Sequence, residues 1–271
     1  MKLLNSVVLG TAFLGSTLLS TAVFAHTLTV VPSHFVQSKT GGFITVDLSA
    51  TNMTFQADKG IGVDGFQVYL PDGSTAKPTA VFQGKRKSLA DVELATDGTY
   101  RLENGGAARY FTSYELNGER KRLMGDKQKA AKELPKGAQK VVTTQGRNRA
   151  FAFVTVNQPT ATVVTPTGQG LEFKMDRHPA DVVAGELVTM TLLVDGKPAA
   201  GVELDLSRDG ELYRNEPGRV HYTTDQTGQF TFTAPEAGRY LLEAAFEANS
   251  KNDKADKVRE AFTWTFEVAL P

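Results

Sequence analysis

The sequence predicts an all-β protein made of two β-sandwich domains. Apolar and polar residues alternate with period two along much of the chain, most clearly near its end, where Phe262, Trp264, Phe266 and Val268 share one face. Short runs rich in Val, Thr, Phe and Tyr are separated by Asp-Gly turn dipeptides, which begin at positions 72, 97, 195 and 209. Short strands at such spacing favour sandwiches over alternating βαβ units.

A second alternating segment indicates which side chains share a core. Residues 229–233 carry Phe230 and Phe232 on one face, with polar side chains between them. Because the inner faces of two packed sheets interdigitate, we expect both phenylalanines to share one core with Trp264 and Phe266.

The N-terminus predicts a cleavable signal peptide, residues 1–25. Lys2 provides a short positive segment, residues 3–19 are apolar or uncharged, and Val23-Phe24-Ala25 is a small-residue cleavage pattern. Polar residues and glycines interrupt the apolar run, which is unlike a membrane-spanning helix. We therefore expect export to the periplasm, a mature chain that begins at His26, and no membrane insertion after cleavage.

The mature chain is expected to form two domains, residues 26–158 and 170–271. The segment between them is rich in proline and glycine, which is typical of a boundary. About seven strand candidates follow it, as in an immunoglobulin-like sandwich. The first domain is expected to contain one helix over residues 119–134, ended by Pro135 and Gly137.

Composition excludes several functional classes. The chain has no cysteine, so disulfides, thiolate metal sites and a cysteine nucleophile are absent. Lys+Arg and Asp+Glu are equal at 30 each, so no general field attracts nucleic acid or anionic lipid. The Lys/Arg-rich residues 119–134 are either a solvated helix face or a patch for an anionic partner.

His26 is the most informative candidate for metal binding. After cleavage it offers a free α-amine and an imidazole on one residue, which together can chelate one metal ion. An α-amine has a pKa of about 8, so a metal can displace its proton at neutral pH. Nitrogen ligands of this kind favour Cu(II), with Ni(II) and Zn(II) behind it. The alternative is a terminal histidine without a role.

Three further histidines could complete a site with three nitrogen ligands: His34, His178 and His221. Phosphate-binding glycine loops and the HExxH and G-x-S-x-G motifs are absent, so no ordinary hydrolase site is visible. We therefore expect a binding protein rather than an enzyme.

An ordered set of short segments resembles a family of bacterial exported proteins of unknown function, formerly labelled as the periplasmic component of nickel or cobalt uptake systems. The matching segments are Ala25-His26 with Pro32 and Phe35, Gly170-Leu171-Glu172-Phe173 with His178-Pro179, Asp195-Gly196-Lys197-Pro198, Gly201-Val202-Glu203, Thr223-Thr224-Asp225 with Gly228, and Ala237-Gly238-Arg239-Tyr240-Leu241-Leu242. The resemblance implies a periplasmic protein linked to metal acquisition. It also implies a transthyretin-like or carboxypeptidase-regulatory type of module in the second domain.

Three functional hypotheses follow from these features. The first is an accessory protein of metal uptake or handling, for nickel, cobalt, copper, iron or zinc, which has His26 as anchor ligand and works beside an envelope transport or receptor protein. The second is a metal-free β-sandwich adaptor that binds an envelope protein or a glycan. The third is a copper-dependent oxidative enzyme, for which the sequence offers no substrate platform.

The cleavage pattern gives the first prediction. Mass spectrometry of protein isolated from the periplasm should find a mature N-terminus at His26, because Val23-Phe24-Ala25 places the small residues where signal peptidase requires them. Retention of residues 1–25 in native membranes would contradict it.

Overall fold

The computed structural model describes residues 26–271, so the predicted signal peptide, residues 1–25, lies outside the described residues. Within them the chain is mostly β-strand, which confirms the predicted all-β class with immunoglobulin-like sandwiches. No helix in residues 26–271 is both long enough and apolar enough to cross a membrane.

The first half of the described chain contains most of the strands and one short helix. These are β1 (Thr27–Pro32), β2 (Val36–Gln37), β3 (Gly42–Met53), β4 (Gln56–Gly60), β5 (Phe66–Tyr69), β6 (Thr75–Ala76), β7 (Ala80–Gln83), β8 (Ser88–Leu94), β9 (Gly98–Gly105), β10 (Arg109–Leu116), β11 (Glu119–Met124), α1 (Lys127–Glu133) and β12 (Gln139–Val156).

The second half contains the remaining strands and two 3-10 turns, Pro179–Asp181 and Glu211–Tyr213. The strands are β13 (Leu171–Met175), β14 (Leu187–Val194), β15 (Lys197–Pro198), β16 (Glu203–Arg208), β17 (Val220–Thr223), β18 (Gln229–Thr233), β19 (Gly238–Asn249) and β20 (Lys257–Val268).

The predicted helix over residues 119–134 is wrong in its first half. Residues 119–124 form β11, which pairs with β10 as a hairpin, and the helix begins only at Lys127. The hairpin turns at Asn117-Gly118, where both residues have positive φ, as a tight two-residue turn requires. The Asp126 carboxylate then accepts a hydrogen bond from the Lys129 backbone N–H and caps the short helix.

Three sheets form the two sandwiches. A central sheet runs β17-β16-β19-β20-β12-β9-β5-β6, and β10, β11 and β2 also join it through β12. One outer sheet, β1-β3-β8-β7 with β4, covers the N-terminal part of the central sheet. The other outer sheet, β13-β14-β15 with β18, covers the C-terminal part. The central sheet is continuous across both sandwiches because β12 pairs with β20 in parallel.

The two hydrophobic cores meet at β12. Phe151 and Phe153 belong to the core of the C-terminal sandwich, whereas Ala152 and Val154 belong to that of the N-terminal sandwich. This division follows from the alternation of side chains along a strand. The two cores therefore share one sheet, and residues within the predicted first range, 26–158, contribute to both.

The C-terminal core confirms the predicted cluster of Phe230, Phe232, Trp264 and Phe266. Trp264 is completely buried. Its ring stacks on Phe266 with centroids 4.1 Å apart, and lies 4.8 Å from the ring of Phe173.

Replacement of Trp264 by alanine should lower the free energy of unfolding by about 3–5 kcal/mol, because it leaves a large cavity among these rings. Chemical denaturation measures this loss. Tyr213, which is 87% exposed, supplies the control, and Tyr213→Ala should change stability by less than about 0.5 kcal/mol. Native fluorescence of the single tryptophan at the wavelength of solvated indole would contradict the packing.

Candidate functional site

A cleft of about 1160 Å³ lies on the outer face of the central sheet. Its walls come from β10, β11, β12, β16, β17, β19 and β20, together with the first residues of β1. Along β16 and β19 the cleft residues alternate with leucines of the C-terminal core, such as Leu204 and Leu242. The cleft is therefore the solvent face of the sheet whose opposite face is buried.

One end of the cleft is acidic and carries His221. The strand register places His221, Asp205, Glu243 and Thr263 side by side on β17, β16, β19 and β20. His221 Nδ1 lies 3.1 Å from the Asp205 carboxylate, and its side chain is 56% exposed. Neighbouring strands are about 4.8 Å apart, so these polar groups form a continuous row across the floor.

Glu243 connects β1 to this row of side chains through a hydrogen bond. Its carboxylate accepts a hydrogen bond from the Thr27 hydroxyl at 2.8 Å. Burial raises the pKa of Glu243 above its ordinary value, and the carboxylates of Asp205 and Glu211 raise it further, whereas Thr27 and Arg219 oppose the shift.

Arg219 and Glu211 link Glu243 to the turn between β3 and β4 through further polar contacts. The Arg219 guanidinium donates to Glu211 at 2.8 Å and lies 3.9 Å from Glu243. Glu211 also accepts a hydrogen bond from the backbone N–H of Thr54 at 2.7 Å. Burial alone would raise the pKa of Glu211, but these donors together lower it. The network fixes the start of β1, and with it His26, at the rim of the cleft.

His26 is oriented by Asp58. Its Nε2 lies 2.6 Å from Asp58 Oδ2, and the same oxygen accepts a hydrogen bond from the Asn52 amide at 3.1 Å. Asp58 is the extra residue of a β-bulge in β4, because Ala57 and Lys59 pair with consecutive residues of β3. Bulges redirect a side chain out of the regular alternation. Here the bulged carboxylate contacts one ring nitrogen of His26 and leaves Nδ1, the nitrogen nearer the backbone, without a side-chain partner in residues 26–271.

The structure brings two of the four candidate histidines, His26 and His221, into one cleft. His34 lies beyond the far end of β1, whose last residue, Pro32, is roughly 20 Å from His26 at 3.3 Å per residue. Its Nδ1 is 3.2 Å from the hydroxyl of the adjacent Ser33.

His178 has a structural role. Its Nδ1 accepts a hydrogen bond from the backbone N–H of Ala180 at 3.1 Å and caps the 3-10 turn that starts at Pro179. Its Nε2 lies 3.1 Å from the Thr99 hydroxyl, so both ring nitrogens have partners. Burial lowers the pKa of His178, which favours the neutral ring that such a cap needs. The His-Pro dipeptide is a sequence signal for a cap followed by a first helical proline.

No group of three or more His, Asp or Glu side chains in residues 26–271 is arranged to hold a metal ion.

The other end of the cleft is basic. Arg120, Lys121 and Arg122 of β11 and Lys257 and Arg259 of β20 line it. The hairpin thus places part of the Lys/Arg-rich run, which the sequence placed on a helix, on the wall of the cleft. The Asn-Gly turn was the sequence signal that could have located this wall.

The fold and the cleft define a protein of two immunoglobulin-like β-sandwiches with a polar groove on their shared sheet. The chain belongs to the family described as Domain of unknown function (DUF4198), whose model matches residues 23–248. The predicted resemblance to a family of unknown function is therefore confirmed. Comparison with curated proteins gives no match.

Solved structures with similar architecture are remote. The D0-D1 domain of Intimin is 12% identical, with 88% of this chain and 98% of that chain covered and a TM-score of 0.24. A DUF4785 family protein from Legionella pneumophila is also 12% identical, with 79% and 50% covered and a TM-score of 0.24. The chicken CNTN1 FN1-FN3 domains are 9% identical, with 90% and 100% covered and a TM-score of 0.24. Similarity at this level carries no argument about this chain.

The raised pKa of Glu243 predicts a pH-dependent cost to folding. A buried carboxyl whose pKa rises on folding destabilises the protein where it is ionised. The cost is absent below the ordinary value of 4.5, grows as pH rises towards the raised pKa, and is constant above it. Glu243→Gln keeps an oxygen that accepts from Thr27 and removes the charge, so it should raise the melting temperature at pH 7 to 8.

Thermal unfolding at several pH values measures the effect, and the gain should vanish below pH 4.5. Glu247→Gln, at an exposed position on the same strand, serves as the matched control with little change. A lower melting temperature for Glu243→Gln at neutral pH would show that the contacts with Thr27 and Arg219 outweigh burial.

Proposed function

We propose that this chain is a periplasmic, non-enzymatic protein that binds a transition metal ion for an uptake or handling system, with His26 as the anchor ligand. The observation that carries the proposal is the contact between His26 Nε2 and Asp58 Oδ2. Histidines that bind metals commonly donate the other ring N–H to a carboxylate, which fixes the ring and makes the coordinating nitrogen more basic.

The chelate needs only His26 itself. Once Ala25 is removed, the α-amine and Nδ1 belong to the same residue and close one ring around a metal ion. With Nε2 held by Asp58, Nδ1 remains on the side of the backbone nitrogen. Such a site requires no cluster of three side chains, so the absence of one from residues 26–271 is compatible with it.

The surroundings favour reversible binding over a closed structural site. Two ligands from His26 leave coordination positions for water or for an incoming donor, whereas structural metal sites are filled by protein ligands. Asp205, Glu243 and His221 line the same cleft and provide a negative, nitrogen-containing environment for a cation. A site with nitrogen donors has the highest affinity for Cu(II), followed by Ni(II), and lower affinity for Co(II) and Zn(II).

The signal pattern before His26 supports a periplasmic location, and it also creates the amine on which the site depends. The metal-free adaptor for an envelope protein or glycan is the competing function. The two are separated by asking whether metal affinity depends on the processed N-terminus.

Calorimetric titration with Cu(II) should find that one additional alanine before His26 weakens binding by at least roughly 100-fold. Loss of a hydrogen-bond partner of a ligand already weakens metal binding by up to roughly 100-fold, so loss of a ligand itself should cost at least as much. The extension turns the amine into an amide and leaves every side chain in place. His26→Ala should have a similar effect. Equal affinity for the mature and extended proteins would overturn the site and favour the adaptor.

A second variant in the same titration examines the orienting carboxylate. Asp58→Asn should weaken Cu(II) binding by roughly 10- to 100-fold, because the ring of His26 loses its charged partner. Asp64→Asn, an exposed change nearby in sequence, is the matched control and should bind as the parent does. Equal loss in both variants would indicate a general charge effect.

A further inference from the structure

Three arginines lie near Phe111 and Gly146, at and beside the basic end of the cleft. The Arg122 guanidinium lies over the Phe111 ring, 4.4 Å from its centroid. That ring lies over Gly146, where an added Cβ would be 3.2 Å from a ring carbon. Gly146 is the cross-strand neighbour of Arg259 on one side and of Arg109 on the other. We refer to Arg109, Arg122 and Arg259 as the arginine cluster.

The arginine cluster has no counterion in the part of the chain that the structure describes. None of its three guanidiniums forms an ion pair with a carboxylate of residues 26–271. Glu247 is the direct cross-strand neighbour of Arg259, but it pairs with Lys257 instead. The nearest acid on β10, Glu115, pairs with Lys140 at 2.9 Å.

Protection of a sheet edge explains only part of this arrangement. Positive side chains on an exposed edge strand prevent pairing with other chains, and β11 is such an edge. Arg259 is different, because β20 is paired on both sides by β19 and β12. Arg109 and Arg259 flank Gly146 at a Cα separation of about 10 Å, two strand spacings, and the Phe111 ring lies over the glycine between them.

Like charges on one face of a sheet repel one another, and solvent and salt reduce the repulsion at exposed side chains such as these three. The Phe111 ring orients Arg122 on the same face, since the guanidinium lies over a ring that itself packs over Gly146. A bound anion would remove this repulsion. Guanidinium groups are suited to that task because they donate two parallel hydrogen bonds to carboxylate or phosphate oxygens.

We infer that the arginine cluster is a binding site for a small ligand that carries two or more oxyanion groups, carboxylate or phosphate. Phe111 orients Arg122, Gly146 leaves room for the Phe111 ring over the sheet, and Arg122 and Arg259 supply the hydrogen bonds from the cleft side. Arg109 adds a third positive charge from the neighbouring strand. The site lies at the end of the cleft opposite His221, and it requires no metal ion.

Isothermal titration of the mature, metal-free protein with citrate and with pyrophosphate at low ionic strength tests this site. Binding of at least one probe is expected, with affinity that falls as salt is added. Arg259→Gln and Arg122→Gln should each weaken it by about tenfold or more, as expected for loss of a charge-assisted hydrogen bond. Phe111→Leu should also weaken it, although every charge remains.

Lys77→Gln is the matched control, because Lys77 is exposed, lies outside the cleft and carries the same charge. It should bind as the parent does, and so should His26→Ala, which separates this site from the proposed metal site. Stronger binding of citrate assigns a carboxylate ligand, and stronger binding of pyrophosphate assigns a phosphate ligand.

The inference is overturned if neither probe binds to the folded parent protein. It is also overturned if Lys77→Gln weakens binding as much as Arg259→Gln does, since the effect would then be one of net charge. Native tryptophan fluorescence of each variant establishes that the core around Trp264 is intact before the titrations are compared.

Discussion

The parallel pairing of β12 with β20 is the constraint on which the rest of the structure depends. It joins strands from the two halves of the chain, with Phe151 beside Trp264 and Ala152 beside Thr265. Because successive side chains of β12 point in opposite directions, this strand contributes to both cores at once. The C-terminal sandwich therefore cannot be completed without the first half of the chain, because Phe151 and Phe153 of β12 belong to its core. A change that shifted the register of β12 by one residue would exchange its contributions to the two cores.

The cleft is a consequence of the same pairing. β12 has 18 residues, more than the N-terminal outer sheet covers, and its first part pairs with β10 instead of β9. The β10–β11 hairpin therefore forms one wall, and the central sheet beyond β20 forms the other. β1 reaches this surface because Thr27 donates to Glu243, so the position of His26 depends on a contact between the two halves.

The sequence allowed the local parts of this structure to be predicted. Period-two alternation identified the faces of β18 and β20, and with them the aromatic core around Trp264, because each strand carries that signal within a few residues. The hairpin at Asn117-Gly118 was also a local signal, but the Lys/Arg-rich composition of β11 favoured a helix. The parallel pairing and the contact of His26 with the bulged Asp58 were beyond prediction. Both contacts join segments that are far apart along the chain, and local periodicity carries no information about such contacts.

Charge is distributed along the cleft in a way that links its two ends. The acidic residues lie on β16 and β19, the basic residues on β20 and β11, and the pair Glu247–Lys257 occupies the boundary between them. Arg219 partly compensates Glu211 and Glu243 at the acidic end, whereas the three guanidiniums of the arginine cluster form no ion pair within residues 26–271. A cation bound beside His26 would offset the repulsion among Asp205, Glu243 and Glu211, and an anion at the arginine cluster would do the same at the other end. Since opposite charges in one cleft attract, each bound ion would lower the electrostatic free energy of the other.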